Sequence, residues 1–223
     1  MQRYAIFDLD ETITMRGTWG RFVSLAVKDQ PLKFAGLWIR AGIAQLIYKT
    51  GSSERVSVKR GMLRGSLSGQ TRENLEALAE AFAQDEVEKG LRPGAVRQIE
   101  RHKAAGDRII IASAGADIIV NAIAKRLGVE HVVCTKLAWV DGKCAREFGS
   151  QNCYAEGKLD MITKRLETFD DFRREASHIT MYSDSYSDLP TFKYADVGVA
   201  VNADSKLRRA ADVYDLETVN WSK

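Results

Sequence analysis

The chain has 223 residues, 33 Lys and Arg against 30 Asp and Glu, a net charge of +3, and is 45% hydrophobic and 28% charged. That composition excludes a disordered chain and supports one domain with an insertion, or two small domains. Cys134, Cys144 and Cys153 form no Cys-x-x-Cys pair, and their odd number speaks against a disulfide framework, so a reducing, cytoplasmic setting is expected.

The charge is uneven. Residues 16–64 hold ten Lys or Arg and two acids, a local +8 that leaves −5 elsewhere. Such a segment suits an anionic substrate, a membrane surface or a plain solvated face. No nucleic-acid partner is expected, because these cations lie in an apolar block without a binding motif.

In chain order, residues 4–7 read as a strand, an apolar run bounded by polar residues as in a buried parallel sheet. Because the chain goes straight into this strand, no signal peptide is expected. Residues 16–30 read as a helix interrupted by Pro31. Residues 32–48 are strongly apolar but carry Arg40 and Gln45. They fall short of the roughly 18 uninterrupted apolar residues of a membrane span, so a buried or interfacial helix is expected. Gly51-Ser52-Ser53 reads as a loop, and residues 56–64 and 71–89 as helices. In the second of these, Leu75, Leu78, Ala79 and Phe82 share a face. Residues 14–86 therefore form an all-helical insertion.

From Pro93-Gly94 the pattern alternates. Helices are expected at 93–105, 116–127, 157–168, 187–194 and 205–210, and strands at 108–112, 129–134, 179–183 and 196–201. This is the βαβ signature of a parallel sheet. Asp141-Gly142, between residues 137–140 and 143–148, marks a hairpin with a type I′ turn. The fold class is α/β, a doubly wound and mainly parallel sheet. The expected core comprises residues 1–13 plus 87–223, with 14–86 as an inserted helical block.

The chemistry gathers where strands end. Asp8 and Asp10, with Thr12 behind them, follow the first strand, and ligands of open α/β sheets bind beyond the carboxyl ends of such strands. Two carboxylates so close need a cation or a proton between them. Mg²⁺ takes hard oxygen ligands, typically one or two carboxylates beside substrate phosphate. The second strand ends in Ser113, with Gly115 entering a helix; the hydroxyl can donate to a phosphate oxygen, though an ordinary N-cap serine gives the same pattern. Lys158 starts a helix, where a cation opposes the macrodipole and calls for an anionic partner. The fourth strand ends in Asp184 and Asp188, the first placed to complete a cation site, the second to orient a ligated water or pair with Lys158. The three histidines (102, 131 and 178) are scattered and read as structural.

Asp8-Leu-Asp10-Glu-Thr12, Ser113, Lys158 and Asp184 with Asp188 together resemble the four ordered motifs of the haloacid dehalogenase (HAD) superfamily. The helical block between the first two motifs looks like a C1-type cap, and the whole chain resembles the phosphoserine-phosphatase-like branch, subfamily IB. Two positions depart from it. Ser183 replaces a common Gly before Asp184. Gly17 stands nine residues after Asp8, where phosphoserine phosphatases carry a Glu for the substrate amino group, which points away from phosphoserine.

The resemblance implies a Mg²⁺-dependent phosphomonoester hydrolase. Asp8 would be the nucleophile forming an aspartyl-phosphate, and Asp10 the general acid and base. The metal would be held by Asp8, the Asp10 backbone carbonyl and Asp184. Ser113 and Lys158 would neutralise phosphoryl oxygens, with Thr12, Gly115 and Asp188 in support. The expected substrate is a small phosphorylated metabolite. One alternative is a lipid-linked phosphate, of phosphatidylglycerophosphate type, met at the membrane surface. A remote one is a non-catalytic phospho-acceptor. In the cap, Arg16, Arg21, Arg60 and Arg64 are candidates to face substrate; Arg60 and Arg64 share a helix face.

Overall fold

A computed structural model describes residues 1–49 and 55–222, giving only the backbone at residues 40, 44–49 and 55. The loop expected at Gly51-Ser52-Ser53 lies outside the described residues. The chain begins with β1 (Gln2–Phe7), then runs through a helical insertion of α1 (Thr18–Leu25), α2 (Pro31–Lys49), α3 (Arg55–Ser66) and α4 (Arg72–Lys89). The alternating part follows: α5 (Pro93–Ala104), β2 (Arg108–Ala116), α6 (Asp117–Arg126) and β3 (His131–Thr135). A hairpin of β4 (Leu137–Val140) and β5 (Lys143–Phe148) precedes α7 (Glu156–Leu166) and β6 (Ser177–Ser183). The chain closes with α8 (Leu189–Tyr194), β7 (Val197–Val201), α9 (Ser205–Ala210) and β8 (Glu217–Val219).

Six strands form one parallel sheet in the order β3-β2-β1-β6-β7-β8. The strand order reverses at β1, so a crevice opens beyond its carboxyl end, between the connections leaving β1 and β6. Side chains of β1 alternate between two cores. Ala5 and Phe7 pack with the α4–α6 face, and Tyr4 and Ile6 with the α7–α9 face. Both sets are buried, as a central parallel strand requires.

Most predicted elements are present with shifted ends. The first insertion helix is shorter than residues 16–30: α1 ends at Leu25, and α2 starts on Pro31, whose fixed φ suits a first helical position. β2 runs on to Ala116 through an irregularity between Ser113 and Ala116. The three-residue edge strand β8 carried no sequence signal. The hairpin turn is of type I′, with φ of 49° at Asp141 and 72° at Gly142.

α4 continues past residue 86 to Lys89. Thr14 and Leu91 form an antiparallel bridge, with Met15 N donating to Gly90 O (2.7 Å) and Arg92 N to Ile13 O (2.8 Å). The insertion is also stitched to the hairpin, because Gly69 N donates to Cys144 O, Cys144 N to Gln70 O and Arg72 N to Gly142 O, at 2.8, 2.8 and 2.9 Å. α4 lies along α6, where Glu80 pairs with Arg126 at 3.1 Å. Among the described residues no helix is long and apolar enough to cross a membrane.

Candidate active site

In register, Phe7 of β1 stands beside Ile111 of β2 and Tyr182 of β6. Asp8 is the next residue after Phe7, Ser113 lies two beyond Ile111, and Asp184 two beyond Tyr182. The sheet thus delivers all three to one level of its carboxyl edge. The ladder carries one bond further, from Asp8 N to Tyr182 O (2.9 Å), which fixes the Asp8 backbone. The chain then makes a wide turn over Leu9–Ile13 with Glu11 in the left-handed region (φ 63°).

The centre of the site is a buried cation between two buried carboxylates. Lys158 Nζ donates to Asp8 Oδ1 and to Asp188 Oδ2, both at 2.7 Å. Ser183 Oγ donates to the same Asp188 oxygen at 2.6 Å. Ser183, the departure from the common Gly, therefore has a defined partner. Burial works against the Lys158 ammonium, but Asp188 and Asp8 outweigh it and its pKa is raised. Burial raises the Asp8 pKa well above the carboxylate range; Lys158 pulls it back, while Asp188 and Asp184 push it further up. The second Asp188 oxygen, Oδ1, is buried without a hydrogen-bond partner.

Asp184 is held by Thr12, whose hydroxyl donates to Asp184 Oδ1 and accepts from Asp184 N, both at 2.9 Å. Burial pushes the Asp184 pKa up to about 6 despite that hydrogen bond. Replacing Thr12 by Val keeps the shape and removes both bonds. We expect a loss of about 1–3 kcal/mol in stability, the cost of an unpaired, part-buried N–H, read by urea unfolding.

Asp10 ties the site to α1. Its Oδ1 accepts from Thr18 N (2.7 Å), so its carboxylate rests on the first turn of α1 and couples the site loop to the insertion. Ser113 is fully buried and its Oγ accepts from Gly115 N (2.9 Å), which leaves the hydroxyl proton for another acceptor. A Cβ at Gly115 would stand 2.9 Å from Val120 Cγ2 and 3.2 Å from Ser113 Oγ, so this close approach needs glycine.

Asp8, Asp10, Lys158, Asp184 and Asp188 all line one cavity of about 290 Å³. Two further residues of the site were not anticipated. Asp204 caps α9 and also accepts from Tyr186 N (3.0 Å), while its own N–H donates to Asp184 O (2.7 Å), fixing the loop after β6. Its Asp-Ser start marks it as an N-cap, but nothing in the spacing ties it to β6. Lys59 of α3 donates to Ala114 O and to Asn152 Oδ1 (3.4 Å) and lies 5.6 Å from the Trp19 ring centroid. It lies on the helical row of Met62, Leu63 and Ser66, the buried face of α3. That spacing was its available signal.

The four cap arginines stand in different surroundings. Arg60 and Arg64 share a face, as predicted, but it is turned to the hairpin, where both pair with Glu147. Arg16 lies in a separate charged pocket with Glu86 and Lys89. Of the four, Arg21 lines the large chamber next to the acidic cavity while pairing with Glu86 at 2.5 Å. That chamber measures about 820 Å³ and is walled by Trp19, Leu25, Phe34 and Trp38, with Asp10 and Lys59 at its border. The three thiols are buried and free, and burial pushes Cys134 and Cys153 up to about 12, away from thiolate character.

Among the described residues no three acidic, imidazole or thiol groups form a ready-made metal cluster. The donors present nevertheless fit Mg²⁺, which needs only one or two carboxylates beside carbonyl, water and phosphate oxygens. Asp8 and Asp184 are both raised by burial and by neighbouring carboxylates, as expected where anions are crowded around too little positive charge.

Comparison with known proteins adds an independent view. Residues 5–193 match the family model of haloacid dehalogenase-like hydrolases. A probable phosphatase of Mycobacterium tuberculosis is 28% identical over 221 residues, covering 98% of this chain and 75% of that protein. Among solved structures, a Bordetella pertussis protein of unknown function superposes with a TM-score of 0.87 at 22% identity, covering 98% of both chains. A substrate-bound phosphoserine phosphatase superposes with a TM-score of 0.64 at 19% identity, covering 100% of this chain and 94% of that one.

Proposed function

Because the chain belongs to the haloacid dehalogenase-like hydrolase family, we propose that it is a Mg²⁺-dependent phosphomonoesterase working through an aspartyl-phosphate on Asp8. The observation that carries this reading is the Asp8–Lys158–Asp188 triad, buried at the strand switch point and open to a cavity lined by Asp10 and Asp184. Lys158 fixes one Asp8 oxygen and leaves the other for attack on phosphorus in line. The Asp8–phosphorus bond forms as the ester P–O bond breaks, and Asp10 gives its proton to the leaving alkoxide. Asp10, now a carboxylate, takes a proton from water, which attacks the aspartyl-phosphate and releases phosphate.

Ser113 and Lys158 meet charge on the equatorial oxygens, where phosphoryl transfer gains most of its stabilisation. Asp8, Asp184 and the Asp10 carbonyl would hold Mg²⁺, and the bound ion supplies positive charge to the phosphoryl oxygens. Thr12 and Asp204 would keep Asp184 in place. The name of the Mycobacterium relative supports the reading.

The test is phosphate release with Mg²⁺ across a panel holding phosphoserine, histidinol phosphate, sugar phosphates, phosphoethanolamine and a dispersion of phosphatidylglycerophosphate. Turnover of any member well above an Asp8→Asn blank supports the proposal, and silence throughout overturns it. A second reading, phosphate carried on a lipid, is favoured by the aromatic wall and the size of the chamber beside the acidic cavity. Turnover of the dispersion alone would select it over a soluble metabolite.

Metal binding should depend on pH. Asp184 ligates as a carboxylate, and its metal-free pKa lies at about 6. Protons therefore compete below that pH, and the apparent Mg²⁺ Kd is expected to rise as pH falls through about 6, up to about tenfold per unit. Calorimetric Mg²⁺ titrations at pH 5, 6 and 7 check this.

A further inference from the structure

The insertion carries an apolar surface that the proposed chemistry does not use. On α2, Leu32, Ile39 and Ile43 recur at i, i+7 and i+11, so they stand one above another on a single face. Their exposures are 89%, 64% and 54%, whereas Leu37 on the opposite face is 1% exposed. The inner side of the same helix sends Phe34 and Trp38 into the wall of the chamber. Between Leu32 and Ile43, α2 is thus covered on its Leu37 side and leaves an aliphatic row exposed on the other, an arrangement that marks an interaction surface.

Charge decides the occupant. From Gln30 to Ser53 the sequence has Lys33, Arg40 and Lys49 and not one Asp or Glu. Just before α2, Lys28 and Asp29 are both exposed and offset each other, so the segment keeps its positive charge. A two-fold contact between copies would bring this cationic segment against itself, which opposes self-association. An anionic surface with an apolar interior satisfies both features. Exposed aliphatic side chains enter the acyl boundary while lysines meet the headgroups, as in helices that lie in the interface plane.

We propose that the outer face of α2 docks this protein on the surface of an anionic lipid bilayer, with the helix lying in the interface. Docking there would put the roof of the chamber against the lipid. The inference stands apart from the phosphatase reading, although a lipid-borne phosphomonoester would gain most from it.

The experiment is vesicle flotation at low and high salt, using phosphatidylcholine alone and phosphatidylcholine mixed with phosphatidylglycerol. Wild-type protein is expected to float with the mixed vesicles at low salt and to be released as salt rises. The triple variant Leu32→Glu, Ile39→Glu, Ile43→Glu is expected to bind about a hundredfold more weakly. Its turnover of a soluble phosphomonoester without vesicles should be unchanged, which shows that it folds. Absence of flotation at low salt overturns the proposal. So does equal flotation of the triple variant, or a wild-type dimer in sedimentation that the variant lacks, which would make the occupant a second copy. Loss of soluble turnover in both proteins would speak against the phosphatase reading and leave the flotation result intact.

Discussion

Asp8→Asn is expected to lower phosphate release by at least about three orders of magnitude, the scale on which a covalent nucleophile acts, and to leave the fold intact. The amide keeps the shape of the carboxyl and lacks its nucleophilic oxygen. It keeps an oxygen for Lys158, which retains its 2.7 Å partner in Asp188. The effect on stability has a definite sign. Burial, with Asp188 and Asp184 nearby, raises the Asp8 pKa in spite of Lys158. A carboxyl whose folded pKa lies above its unfolded value costs stability when ionised, and that cost grows as pH rises above the unfolded value. A neutral isostere escapes it, so the variant should melt at or above the wild-type temperature at pH 7, and the two should converge toward pH 4. Acid quenching with labelled substrate should trap an acyl-phosphate in wild type and none in the variant. More than a tenth of wild-type turnover in a folded Asp8→Asn protein would overturn the nucleophile assignment.

The core was legible because its chemistry follows strand ends. An apolar run stopping at Asp8, another at Ser113 and a third at Ser183-Asp184 can be read one segment at a time. A parallel sheet with its strand switch at β1 brings such ends together without further instruction. Lys158 was legible for a different reason: a cation in the first turn of α7 opposes the dipole and must have a partner, which proved to be two carboxylates.

The insertion was less legible because its function depends on rotation about helix axes. Arg60 and Arg64 were correctly put on one face, but which neighbour that face meets is decided by the hairpin, where Glu147 waits. Lys59, one residue earlier and about 100° around the helix, is the one that reaches Ala114 and the chamber. Asp204 was hidden because one carboxylate does two jobs, an N-cap visible in sequence and a tie to the loop after β6 that needs the fold. For α2, composition announced an apolar helix, and the unequal covering of its two sides became visible only once Leu37 was seen buried and Leu32, Ile39 and Ile43 exposed.

Lys158→Met should be the most damaging single change to stability at the site. The side chains are alike in length, so the loss is that of the charge. Lys158 and both of its partners are almost fully buried. Breaking a buried ion pair by removing one partner typically costs about 3–5 kcal/mol, because the remaining charge is left without compensation. Here two carboxylates are left, with Asp188 Oδ1 already lacking a hydrogen bond. The loss should depend on pH. Without the ammonium, Asp8 loses the interaction that pulls its raised pKa down, so the folded variant binds a proton that the unfolded chain has released. Stability then falls as pH rises above the ordinary carboxylate range and recovers as pH drops. Urea unfolding should therefore show the full deficit at pH 8 and a smaller one at pH 5. At a pH and temperature where the variant is still folded, turnover should remain down by about 10²–10³, because the proposed mechanism then lacks its fixed cation near the phosphoryl oxygens. Equal deficits at pH 5 and pH 8 would mean that the Lys158→Met variant fails through packing, and that the ion pair contributes little to holding Asp8.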